Sequence, residues 1–355
     1  MEVVIMISRI SFENDYSEGT HERILKRLQE SNLEQTTGYS EDAYSADAKR
    51  LIKEVCQAPD ADVHFLVGGT QTNMTVITAA LRPHQGVISH QDGHISVHES
   101  GAIEATGHKV LVLTGEKGKL TAETIATVYE NHISDASYEH TVQPKMVYIS
   151  HPTECGTLYT KQELAAISEV CQRTGMYLFL DGARLGYALA AENDVTLTDI
   201  AKYCDVFYIG GTKVGALFGE AVVITRSELK EDFRYIIKQR GGLLAKGRLL
   251  GIQFQELFKD GLYEELGAHG VKMGKRLKEV FEKAGCDFLV DSKTNQQFPI
   301  LEEEQIHFLK DKYNFSIWEK MEDIRTAVRF CTSWATKEES IAKLEADIEQ
   351  MPKKG

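Results

Sequence analysis

No stretch of this 355-residue chain approaches the ~18 consecutive apolar residues that a membrane-spanning helix needs. The six cysteines (Cys56, Cys155, Cys171, Cys204, Cys286, Cys331) contain no C-x-x-C pair, which argues against a zinc site or disulfide frame and for reduced thiols. An excess of basic charge is missing too. Lysine and arginine number 40 against 53 aspartates and glutamates, and the net charge of −13 repels nucleic-acid phosphates and anionic membrane surfaces. The opening MEVVIMISRI lacks a basic leading segment and a small-residue cleavage site, so a cytoplasmic location is expected. Internal repeats and low-complexity linkers are absent. What remains is an ordinary globular composition, 42% hydrophobic and 26% charged, with a length that suggests roughly two domains. These absences leave a small-molecule enzyme as the starting expectation.

Between about residues 60 and 225, short apolar runs alternate with amphipathic segments, as βαβ units around a mostly parallel sheet require. Seven runs read as strands: His64 to Val67, Val87 to Ser89, Lys109 to Leu113, Met146 to Ser150, Tyr177 to Asp181, Val206 to Gly210 and Ala221 to Thr225. Leu164, Ile167, Val170 and Cys171 fall at helical spacing within Thr160 to Thr174, and Gly175 is placed to end that helix. From about Leu243 the pattern changes. Met273, Leu277, Val280, Phe281 and Ala284 predict a helix ended by Gly285. Cys286 to Val290, Asn314 to Trp318 and Thr326 to Trp334 read as strands, with a helix over Ile300 to Lys312. Thr336 and Glu339 suggest a capping box for a last helix carrying Ile341, Leu344 and Ile348. The expected division is a large domain over residues 1–238 and a smaller α+β domain over 239–355.

In an α/β sheet, ligands bind beyond the carboxyl ends of the strands, so polar residues directly after strands deserve scrutiny. Gly68 and Gly69 follow one strand and Thr70 opens a helix; free amides there suit a phosphate, although the same sequence also serves as an ordinary strand-to-helix turn. Asp181 ends another strand, where an aspartate needs a cationic partner. Lys213 follows a third strand among Gly210, Gly211 and Gly215, and a lysine so placed can form a Schiff base when its pKa is lowered. A phosphate cup, an acid and a lysine are together what pyridoxal 5'-phosphate requires.

The segments FENDYSEGTHERIL, GGTQTN, HESGAIEATGHKV, HPTECGT, LFLDGARLGYAL, YIGGTKVGA and VRFCTSW together resemble the threonine aldolases of the β-eliminating lyase family, and closest is the low-specificity branch. The likeness spans nearly the whole chain. It implies a fold-type I, aspartate-aminotransferase-like architecture and retro-aldol cleavage of L-threonine, L-allo-threonine and related β-hydroxy-α-amino acids to glycine and an aldehyde, with another pyridoxal-phosphate-dependent amino acid β-lyase or an aminotransferase as the alternative. By the same resemblance Lys213 carries the cofactor aldehyde, Asp181 pairs with the ring nitrogen, and Gly68, Gly69 and Thr70 bind the phosphate. His94 matches the histidine that stacks on the ring. Arg184 lines the cofactor and substrate pocket, Arg329 grips the substrate carboxylate, and Asn14 lies near the substrate. A homodimer or homotetramer is implied as well.

One departure leaves the catalytic base open: the better-known branch has a histidine where this chain has Glu154. Glu154, His94, His98 and a bound water remain candidates. A metal site built from His90, His94 and His98, spaced four apart, would leave Lys213 unexplained, so no metal is expected. Lys246 and Arg240 read as surface charge, with a reach toward a neighbouring subunit's phosphate as the alternative.

Overall fold

The computed structural model describes residues 9–322 and 324–352. Seven strands form the main sheet: β1 (Asp62–Leu66), β2 (Gln85–His90), β3 (Val110–Leu113), β4 (Gln143–Ser150), β5 (Tyr177–Asp181), β6 (Val206–Gly210) and β7 (Glu220–Ile224). Each overlaps one of the seven apolar runs. Their order across the sheet is β1-β7-β6-β5-β4-β2-β3. β7 pairs antiparallel with β1 and β6, and the other four pairings are parallel. The runs are continuously apolar because both faces of the sheet are covered. Along β5, Leu178 and Leu180 enter one core and Phe179 the other; along β6, Phe207 and Ile209 part from Val206 and Tyr208 in the same way.

Three helices place the loops that matter later. α1 (Gly69–Ala80) follows β1, α2 (His94–Val97) is a single turn after β2, and α3 (Lys161–Thr174) joins β4 to β5. At the start of α3 the Thr160 hydroxyl accepts from Glu163 N (3.2 Å) while the Glu163 carboxylate accepts from Thr160 N (2.8 Å), a reciprocal cap. Gly175 ends it at φ 70, a left-handed conformation that glycine adopts without strain.

The helical segment after Leu243 is two helices, Arg248–Phe258 and α4 (Leu262–Lys283), separated at Gly261 with φ 75. The first turns of α4 pack Leu262, Tyr263 and Leu266 into the main core. Its later turns carry Met273, Leu277 and Phe281 into a second core. That second core is backed by β8 (Asp287–Phe288), β9 (Gln296–Gln297), β10 (Pro299–Leu301), β11 (Ser316–Lys320) and β12 (Thr326–Cys331). β12 pairs antiparallel with β9, β10 and β11, and α5 (Glu338–Ile348) covers them with Ile341, Leu344 and Ile348.

Two local expectations are corrected. Ile300 belongs to β10, not to a helix, because it pairs with Asp287 and Ala327. The helix starts at Glu303, after Glu302 and Gln305 exchange caps. Thr336 does not cap α5, whose N-cap is Lys337; the Thr336 hydroxyl instead accepts from Ser333 N at 2.7 Å. The strand Ile10–Ser11 pairs with Tyr313–Asn314, and Phe12 lies in the second core, so the first described residues pack with the C-terminal elements.

Candidate active site

The loops leaving β1, β6, β5, β4 and β2 border one cavity of about 370 Å³ at the carboxyl edge of the sheet. Its wall brings together Gly68, Gly69, Thr70, His94, His98, Glu154, Asp181, Arg184 and Lys213. Two glycines make this convergence possible. A Cβ at Gly182 would collide with the Tyr208 carbonyl, and one at Gly210 with that of Ala183, so the loops after β5 and β6 touch backbone to backbone. Gly210 N donates to Gly182 O at 2.9 Å across this contact. The motifs LDGAR and IGGTK thereby face one space, which neither shows by itself.

Asp181 is buried. Its Oδ1 accepts from Ala183 N (2.9 Å), and Oδ2 accepts from the Tyr148 hydroxyl (2.5 Å) and Asn73 Nδ2 (3.4 Å). Burial, then Asp181 itself, raises the Tyr148 phenol well above its usual range, so it stays a donor to the carboxylate.

Lys213 Nζ has neither a hydrogen bond nor an ion pair among the described residues. Burial, followed by the Arg184 guanidinium, lowers its pKa from the ordinary lysine value. That is the condition under which an amine becomes a nucleophile. Beside it stands Glu220, which the sequence reading did not nominate. It opens β7 between Leu66 and Gly210. Its Oε1 accepts from the Thr212 hydroxyl at 2.9 Å, and burial pushes its pKa up to about 8.

His94 is held at two points: its backbone N donates to Glu154 Oε1 (3.0 Å) and its Nδ1 lies 2.7 Å from Glu99 Oε1. Glu154 Oε1 also accepts from the Ser150 hydroxyl at 2.7 Å, and burial raises the pKa of the Glu154 carboxyl. The rings of His94 and His98 are 5.7 Å apart. His98 is exposed, and desolvation followed by the neighbouring His94 lowers its pKa.

Arg184 lines the cavity and is also tied to the N-terminal segment. Its Nε and Nη2 donate to Asp15 at 2.7 and 3.0 Å, and Asn295 Nδ2 donates to the same carboxylate at 2.9 Å. Burial opposes the Arg184 charge, but Asp15 outweighs it and raises the pKa. Asn14 lies outside the wall and completes its own turn, accepting from Tyr16 N (3.0 Å) and the Ser17 hydroxyl (2.9 Å). Tyr16 is the residue of that segment on the wall. Arg329 also lies off the wall. Its Nη2 donates to Glu13 O (3.2 Å), its guanidinium sits over Trp318 at 5.4 Å, and its buried Nε has no partner among the described residues.

His90 is committed elsewhere: Nε2 meets Gly115 O at 3.2 Å and Nδ1 accepts from Asp92 N at 3.1 Å. Among the described residues no three histidine, cysteine or carboxylate side chains gather as a metal site, and no helix is long and apolar enough to cross a membrane. Lys246 is exposed, while Arg240 donates to the Thr78 hydroxyl at 3.0 Å.

Asp15, Asn73, Glu99, Tyr148 and Glu220 are the site residues that sequence reasoning missed. Asn73 and Glu99 lie inside the GGTQTN and HESG motifs, and Glu220 is a charge at the head of an apolar run, so each left some signal.

A sheet of this order, with an aspartate and a lysine closing neighbouring parallel strands over one cavity, defines a fold-type I architecture. An aspartate aminotransferase from Thermus thermophilus shares it at TM-score 0.70 and 13% identity, over 97% of this chain and 92% of that one. The chain belongs to the beta-eliminating lyase family, whose profile matches residues 15–304. It is 30% identical to a low specificity L-threonine aldolase from a Pseudomonas strain, over 95% of this chain and 96% of the relative. A threonine aldolase structure from Leishmania major matches at TM-score 0.93 and 49% identity, covering 96% of this chain and 99% of that one.

Proposed function

We propose that this chain is a pyridoxal 5'-phosphate-dependent aldehyde-lyase that cleaves L-threonine, L-allo-threonine and related β-hydroxy-α-amino acids to glycine and an aldehyde. The carrying observation is the meeting of Lys213 and Asp181 on one cavity in a chain 49% identical to the Leishmania threonine aldolase.

The residues fit the cofactor. Gly68 has open space where a Cβ would stand, and the N-terminus of α1 offers backbone amides beside Thr70 for a phosphate. Asp181 supplies a buried carboxylate to hold a proton on the ring nitrogen, and Lys213 supplies an uncommitted amine for the aldehyde. When bound, pyridoxal phosphate provides the electron sink for Cα–Cβ cleavage. His94 and Arg184, both on the cavity wall, would stack on and border its ring. Tyr16 borders the substrate side, and by family resemblance Arg329 and Asn14, which lie off the cavity wall in the single chain, would reach the substrate, Arg329 gripping its carboxylate with a planar fork. His94 Nε2 is the favoured acceptor for the β-hydroxyl proton, because Glu154 is tied to Ser150 and to the His94 amide and is disfavoured as an anion by burial. On family resemblance we extend the proposal to a cytoplasmic homodimer or homotetramer, which light scattering checks.

The test is product analysis with L-threonine and the purified protein. Equal amounts of glycine and acetaldehyde are expected. Production of ammonia and an oxoacid, or amino-group transfer to an added oxoacid, would overturn the aldolase assignment.

A further inference from the structure

Behind the cavity wall, Glu99 and Asn73 link His94 to Asp181. Glu99 leaves the turn after α2, and its side chain is fully buried. Its Oε1 meets both His94 Nδ1 and Asn73 Nδ2 at 2.7 Å, while Oε2 has no partner among the described residues. The same Asn73 amide reaches Asp181 Oδ2 at 3.4 Å. Because Asn73 Nδ2 donates to Glu99 Oε1, that oxygen is an acceptor, so Nδ1 of the facing His94 ring carries the proton and in the neutral imidazole the lone pair is left on Nε2. The ring remains 35% exposed, on the cavity side.

We propose that Glu99 is a positioning residue: anchored by Asn73, its carboxylate sets the His94 tautomer so that Nε2 faces the cavity as the acceptor of the substrate's β-hydroxyl proton. This deepens the aldolase reading and rests on it. In the step, the O–H bond breaks and an N–H bond forms at Nε2. The freed electron pair makes the aldehyde carbonyl as Cα–Cβ breaks, and the Cα–Cβ pair stays on the glycine side. The imidazolium formed is paired with Glu99, as a base oriented by a third group requires. The other groups facing His94 are Glu154 from the loop after β4, His98 at the end of α2, Asp181 through Asn73, and Lys213 and Arg184 across the cavity.

Nitrogen NMR of histidine-labelled holoenzyme tests this, comparing the native chain with Glu99→Gln and Glu99→Asp. The native His94 should show the Nδ1–H tautomer. Glu99→Gln keeps the side-chain shape but removes the charge that pairs with the imidazolium, so kcat should fall by about tenfold or more with the cofactor's visible absorbance retained, and Glu99→Asp should recover most of it. An Nε2–H tautomer in the native protein, or a Glu99→Gln protein with native kcat, would overturn the proposal. Because the tautomer is read without turnover, it stays decisive even where the native enzyme releases no glycine, an outcome that would instead remove the aldolase reading.

Discussion

Replacing Asp15 gives the most quantitative test of how the site is held together. Its carboxylate is fully buried and binds two nitrogens of Arg184 and the amide of Asn295, tying the N-terminal segment to the loop after β5 and to the residue before β9. Asp15→Ala leaves Arg184, whose side chain is only 14% exposed, as an unpaired charge inside the protein. Removing one partner of a buried pair costs about 3–5 kcal/mol. Asp15→Asn keeps one acceptor oxygen but not the charge, so a loss of about 1.5–3 kcal/mol is expected, the value of a hydrogen bond to a charged group.

The pH dependence of this loss distinguishes a charge effect from a packing effect. Burial raises the Asp15 pKa, but the Arg184 and Lys213 charges outweigh it and the net shift is downward. A depressed carboxylate pKa means that its stabilisation is complete above the unfolded value of ~3.9 and fades as pH falls through the folded value. The gap between native and Asp15→Asn protein should therefore stay constant from about pH 5 upward and close only below about pH 4. Urea unfolding followed by circular dichroism measures it. A loss below about 1 kcal/mol at neutral pH, the range of an exposed pair, would refute the reasoning. So would a gap that already closes between about pH 5 and 7.

Two further substitutions separate binding from folding. Gly68 has extended backbone (φ −179) and open space at its Cβ, so Gly68→Val should fold with stability within about 0.5 kcal/mol of native. Because the added methyls fill the phosphate cradle, cofactor affinity by absorbance titration should fall at least about tenfold, or ~1.4 kcal/mol; undiminished affinity would move the phosphate elsewhere. In the cofactor-free chain, the raised Glu220 pKa means the folded state holds a proton that the unfolded state has released between about pH 4.3 and about pH 8. Stability should fall through that window by up to about 1.4 kcal/mol per pH unit, and Glu220→Gln should flatten the fall; a native chain with level urea midpoints across the window would contradict the burial of that carboxyl.

The large sheet was legible because its strands are covered on both faces and so read as unbroken apolar runs. The second sheet was partly hidden. Gln296–Gln297 and Pro299–Leu301 carry buried glutamines and a proline, and their strand character comes from pairing with β8 and β12 rather than from local pattern. Ile300 read as helix for that reason. The residues nominated after strands share one cavity because the strand ends of a parallel sheet converge there. Asp15 was not among them, since its burial depends on Arg184, 169 positions away, and on Asn295. Glu99 and Glu220 were not nominated, because only the fold brings Asn73, His94 and Thr212 to them as partners. Arg329 and Asn14 show the opposite limit: family resemblance nominated them, while the chain alone leaves both off the cavity wall.

The central claim is that Lys213 carries the cofactor over Asp181. Borohydride reduction of the holoenzyme, followed by peptide mass spectrometry, tests it most directly. The pyridoxyl group should be found on the peptide containing Lys213, and Lys213→Ala should lose the label, the visible band and glycine formation together. A label on another lysine, or a Lys213→Ala protein that still forms glycine, would contradict the account.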